Sequence, residues 1–131
     1  VIRNAYRVLL VLWAGSLWSL ALWVTPTLFH AQPDPHLAGL LAARLFAVET
    51  YLGLAVAALG GVLPGRGQLR GIYIAVALLA INEWILKRFM ERAHAQGTAL
   101  GVSFGAWHGV SMVLYLIGCL LVLWVIWKGR T

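Results

Sequence analysis

The sequence predicts an all-α membrane protein, a polytopic antiparallel bundle of four transmembrane helices. Three observations predict it. The chain of 131 residues is 62% hydrophobic and 11% charged, with a mean hydropathy of +0.86; a soluble domain of this size lacks the polar side chains to cover so much apolar surface. The apolar residues fall into four long runs, separated by short polar segments. Those runs are continuous, whereas the strands of a membrane barrel would alternate apolar and polar over about ten residues.

The first span is expected over Tyr6–Phe29. Residues 8–24, VLLVLWAGSLWSLALWV, carry no charge, and Pro26 falls near the end. The connector HAQPDPH at 30–36 holds two prolines and an aspartate, so it reads as a loop. A second span runs over 38–63 and ends at the turn-like LPGRGQ, 63–68. The third is placed at 71–89, although only 71–82 is free of formal charge, and the fourth at 98–127, before Lys128 and Arg130. Each can supply the roughly 20 residues, at 1.5 Å each, that cross the hydrocarbon. The four spans make one domain, 1–131.

The net charge of +6 does not point to nucleic acid, because the basic residues form no stripe and no soluble domain is there to carry one. The lone cysteine, Cys119, excludes an internal disulfide and a cysteine-based zinc motif. Arg3 and Arg7 before an apolar run are reminiscent of a signal sequence. The run is long, however, and Phe29-His30-Ala31 puts a large residue where cleavage wants a small one, so the segment is expected to be retained. Phosphate-binding loops and metalloprotease helices are missing.

Four spans put both termini and the 2–3 connection on one side. That side holds Arg3, Arg7, Arg66, Arg70, Lys128 and Arg130 with no acid; the other holds Asp34 and, near the 3–4 turn, Lys87, Arg88, Glu91 and Arg92. The positive-inside rule then expects both termini in the cytoplasm, and a bacterial inner membrane as the location. The seven tryptophans suit membrane–water interfaces.

Counting 1.5 Å per residue from the span ends puts Arg44 about 9 Å and Glu49 about 16 Å below the outer face, Asn82 and Glu83 about 17–18 Å above the inner face, and His108 about 15 Å below the outer face. Together with Lys87, these residues form an expected polar layer in the outer half of the membrane. Ionisable groups at such depth face the bundle interior or a wet cavity and are candidates for function. Glu83 and Lys87, four apart with the acid first, suit a helical pair. Arg44 is expected to look toward Glu83 or the neighbours of Glu49, and Glu49 toward His108 or Arg88. Such a layer can pin helices together, carry protons or ions, or hold a cofactor.

Span 4 bears two stripes. Gly101, Gly105, Gly109 and Met112 form a small-residue line that lets another helix approach, with Gly15 and Ser19 of span 1, or a second copy, as the expected partner. Beside it run Phe104, His108, Ser111 and Tyr115, a polar seam on one face. Close packing there would bury His108 as one half of an inter-helix hydrogen bond. As a cofactor ligand, His108 could hold haem axially, alone or with Met112 or Met90, or copper; no cofactor is favoured. His30, Asp34 and His36 are a weak surface metal set.

Three segments carry a family resemblance: RVLLVLWAGSLW with VTPTLF in span 1, ARLFAVETYLG in span 2, and FGAWHGVSMVLYLIG in span 4. Together they resemble a bacterial family of unknown function related to transmembrane protein 205, of the domain of unknown function 4149 type. The resemblance implies a compact four-helix membrane protein and brings no settled activity. The architecture is also similar to the membrane domain of copper-resistance D proteins and to the haem-dependent bacterial protoporphyrinogen oxidases, a likeness of fold that does not fix function. The expected role is a small, non-enzymatic, transport-related or accessory subunit. The alternatives are a haem- or copper-binding protein using His108 and a proton- or ion-coupled transporter. The expected partners are the lipid bilayer, a second copy, or other subunits of a larger membrane complex.

Overall fold

The computed structural model describes residues 1–62 and 69–129. The turn-like 63–68, with Arg66, and the terminal Arg130 lie outside the described residues. Four long helices make the fold: α1 (Ile2–Ala31), α2 (Pro35–Val62), α3 (Leu69–Gln96) and α4 (Phe104–Lys128). At 25 to 30 residues, each exceeds the roughly 20 that cross the hydrocarbon. Neighbours in the bundle follow the chain: α1 with α2, α2 with α3, α3 with α4, and α4 back against α1.

The bundle is apolar inside and outside. Leu10, Trp13 and Leu17 of α1, Val56 of α2, Ile72, Val76 and Leu79 of α3, and Cys119 and Val122 of α4 form the core. Leu12, Leu22, Val48, Ile74, Val113 and Leu120 face outward. Only 28–33% of each span's most apolar window is buried within the chain. Helices that are hydrophobic all round belong in lipid, which takes the remaining faces.

Small residues bring the helices together. A Cβ on Gly53 of α2 would lie 2.6 Å from the Trp13 ring and 3.3 Å from Val76, so this glycine sits where α1 and α3 both press on α2. Gly71 of α3 takes the Val125 side chain in the same way, since a Cβ there would come within 2.5 Å of it. At the end of the bundle shared by the chain start, Gly60 accommodates Leu69 and Tyr6. Tyr6 Oη donates to the Val56 carbonyl at 2.9 Å.

Two helices widen by one turn. In α1 the π-helical segment Leu20–Val24 closes with Thr25 N–H donating to the Leu20 carbonyl, five residues back. Pro26 explains it: proline has no N–H to give and its ring crowds the carbonyl four residues back, so the preceding turn opens. In α3 the segment Asn82–Leu86 widens likewise, and Lys87 N–H donates to the Asn82 carbonyl. No proline lies there; the wide turn falls at the most polar part of the span.

The third and fourth spans differ from their expected limits. Helix α3 continues to Gln96, so Lys87, Arg88, Glu91 and Arg92 ride on a helix rather than a turn. Charged residues extend it because its last turns lie near the end of the bundle, where water and headgroups solvate them. The fourth helix starts at Phe104, not at 98. Residues 98–103 form a tiny antiparallel hairpin, Thr98–Ala99 (β1) paired with Val102–Ser103 (β2). Leu100 and Gly101 at its tip both have positive φ, 53° and 76°, the signature of a two-residue type I′ turn. Ser103 then caps α4, accepting from Ala106 N–H at 3.3 Å.

Candidate functional site: a polar layer at mid-bundle

Glu49 lies at the heart of the bundle. Residues 42, 49, 53, 56, 57 and 60 form the buried stripe of α2, at the three- and four-residue spacing of one helical face. Glu49 belongs to that stripe and is only 7% exposed. Both its carboxyl oxygens lie within hydrogen-bond distance of Ser16 Oγ on α1, at 2.7 and 2.8 Å. The same Ser16 Oγ is 3.0 Å from the Trp13 carbonyl oxygen. Trp13 Nε1 donates to the Glu49 backbone carbonyl at 3.3 Å, so one turn of α1 grips one turn of α2 twice.

Helix α4 closes the layer. Tyr115 is buried, its Oη donates to the Leu17 carbonyl of α1, and its ring meets Phe46 of α2 edge to face at 5.0 Å. Cys119 follows one turn on, 1% exposed. From α3, Asn82 Nδ2 donates to the Ser111 carbonyl of α4 at 2.9 Å. Inter-helix hydrogen bonds in membranes contribute modestly, averaging about 0.6 kcal/mol. Their directionality still fixes rotation and register, which apolar packing against apolar lipid specifies weakly.

Several expected layer residues stand elsewhere. His108 is exposed on the outer side of α4. It lies four residues, about 6 Å, from the helix start, so it is shallower than a span beginning at 98 implies. Its ring leans on Phe104 at 5.9 Å, and Phe104 leans on His94 of α3 at 5.3 Å. His108 therefore does not meet Glu49. Moving from 104 to 115 along the seam turns the helix from its outer side to its core, so Tyr115 is enclosed, Ser111 is half-buried and His108 is not. Arg44 is exposed on the outer side of α2 and does not reach Glu83. Instead Glu83 pairs with Lys87 at 3.1 Å, with side-chain exposures of 13% and 35%.

The small-residue stripes also differ from expectation. Gly101 sits at the hairpin tip, outside α4. A Cβ on Gly15, Gly105 or Gly109 would meet nothing within 4 Å, so these glycines hold no contact with another helix of this chain. Their side of each helix points outward, and Ser19 is only half-buried beside them. Among the described residues, the glycines that admit close packing are Gly53, Gly60, Gly61 and Gly71, with Gly118 of α4 against the Ala75 backbone.

Among the described residues, no three His, Cys, Asp or Glu side chains converge as metal ligands. His30 ends α1. Asp34 is occupied at the start of α2, where its Oδ1 accepts from His36 N–H at 3.0 Å. Met112, one turn from His108, is 60% exposed, so both face outward from a single helix rather than across a pocket from each other.

Ser16 and Trp13 escaped the sequence reading. Both lie inside an uncharged apolar run, where a serine and an interfacial residue type draw little notice. The available signal was spacing: 13 and 16 stand on one helical face with the buried Leu10, Leu17 and Leu20.

The family described as "Domain of unknown function (DUF4149)" matches residues 8–99. That stretch covers most of α1, all of α2 and α3, and β1, so it contains Ser16, Glu49, Asn82, Glu83 and Lys87; it stops before α4. The chain belongs to this family. No curated protein and no solved structure matches the chain.

Proposed function

We propose that this member of the DUF4149 family is a non-enzymatic subunit, transport-related or accessory, of a larger assembly in a bacterial inner membrane, with both termini cytoplasmic. That it is an integral membrane protein follows from its four apolar helices. The subunit role rests on one observation. On the outer side of α4, Gly105 and Gly109 leave open space beside an exposed His108 and Met112. Facing lipid alone, a backbone bared by glycine gains nothing, and an imidazole near the headgroups has only water and lipid to bond to. Covered by another helix, both contribute: the glycines allow close approach and the imidazole finds a hydrogen-bond partner.

Orientation draws support from Arg3, Arg7, Arg70 and Lys128, which all sit at the end of the bundle that holds the chain start. The relation to transmembrane protein 205 is part of the same proposal and rests on the sequence segments quoted above.

Gly109→Leu tests the subunit role. The new side chain enters open space within the chain, so the fold survives, while a partner helix is pushed away. Native mass spectrometry from mild detergent or lipid nanodiscs should find the wild-type chain in a complex, with itself or with other proteins, and the variant released from it. A wild-type chain that is monomeric in both media, or a variant that keeps its complex, defeats the proposal.

A further inference from the structure

We propose that Glu49 is a proton-binding site inside the bundle, held as the neutral acid with its O–H donating to the Ser16 hydroxyl. This goes beyond the subunit role and does not depend on it. Ser16 Oγ has three oxygens around it: the Trp13 carbonyl at 3.0 Å and the two Glu49 carboxyl oxygens at 2.7 and 2.8 Å. Serine owns a single O–H. With Glu49 ionised, that one hydrogen has all three acceptors to serve, and a carboxylate with about four lone-pair sites receives one donor at most from this contact. With the proton on Glu49 a second hydrogen is present, and two of the three contacts carry one. Ser16 donates back to the Trp13 carbonyl, as serine does in helices, and its lone pair accepts the Glu49 O–H.

Among the described residues, the surroundings offer no countercharge. Helix α1 presents Ser16 and Trp13. On α2 itself, the neighbouring Thr50 hydroxyl is used by the Phe46 carbonyl at 3.1 Å. Helix α4 turns Tyr115 and Cys119 toward the carboxyl, and neither is a cation. The charged groups of α3 nearest this depth, Glu83 and Lys87, are paired with each other, and Arg44 of α2 points outward. An unpaired carboxylate enclosed in apolar surroundings is so costly that such groups take up a proton instead. Glu49 thus ties α1 to α2 through its proton, and losing that proton would put a bare charge at the junction.

Infrared spectroscopy of the protein in lipid bilayers at neutral pH reads this directly. The chain has only four carboxyl side chains, Asp34, Glu49, Glu83 and Glu91. The wild type should show a carboxylic C=O band that shifts in heavy water. Glu49→Gln should remove that band. Ser16→Ala should keep it but move it to higher frequency, as the hydrogen bond is lost. A wild type without the band overturns the proposal with no variant needed. So does a band that survives Glu49→Gln, or one that Ser16→Ala leaves in place.

Discussion

Replacing Gly53 with alanine probes the contact on which the layer is built. The added Cβ would sit 2.6 Å from Trp13 Cζ2, and carbon atoms prefer about 3.5–4.0 Å. The ring must therefore retreat by about 1 Å. Trp13 is 3% exposed and has no open side to move into. Its Nε1 bond to the Glu49 carbonyl is already 3.3 Å long, so a retreat of that size breaks it. Overpacking of this kind costs about 1–3 kcal/mol, and the lost hydrogen bond about 0.5–1.5 kcal/mol. Alanine returns up to about 1 kcal/mol through helix propensity. The net expectation is a loss of about 2 kcal/mol.

The chain carries its own reporter. Cys119 is its single thiol and is 1% exposed in the core. A maleimide reaches it only when the bundle opens, so under fast reclosing the labelling rate tracks the opening equilibrium. A loss of about 2 kcal/mol corresponds to labelling about 30-fold faster. Gly39→Ala is the control: its Cβ meets only the Phe29 ring, at 4.0 Å, and labelling should not accelerate. Gly53→Ala labelling at the wild-type rate, or Gly39→Ala labelling faster than Gly53→Ala, would refute the close fit of Trp13 against Gly53.

Two further outcomes use the same readout. Tyr115→Phe keeps the ring against Phe46 but removes the bond to the Leu17 carbonyl, which retains its place in α1; a loss of about 1 kcal/mol is expected, against about 3–5 kcal/mol for Tyr115→Ala. At the Glu83–Lys87 pair, Lys87→Met alone should label faster than the double variant Glu83→Leu with Lys87→Met. Removing one partner strands a half-buried charge, whereas removing both leaves none; equal rates would mean that Glu83 is fully solvated.

The limits of sequence reading are clearest at α4. Its apolar run announces a helix from 98, yet the helix begins at Phe104, six residues later. Thr98–Ser103 is apolar enough to join the span, and the hairpin needs positive φ at both Leu100 and Gly101, a demand that only the glycine signals. Glu83 with Lys87 was legible because a four-residue spacing on one helix is local information. Glu49's partner was not, because Ser16 is thirty-three positions away and its neighbours in sequence are all apolar. His108 was assigned to the interior because a buried imidazole and an outward one have the same flanking letters.

By itself, the sequence determined that the chain is helical, that it crosses a membrane four times and that a few polar groups ride at mid-span. Backbone hydrogen bonds cannot be left open in hydrocarbon, so long apolar runs of this length must be helices. The rotation of each helix about its axis was decided only by the tertiary structure. When both the core and the solvent are apolar, the hydrophobic pattern no longer marks an inside face. Close fits such as Trp13 against Gly53, and directed bonds such as those of Ser16 to Glu49 and Tyr115 to Leu17, take over that choice. They turn Glu49 inward and His108 outward.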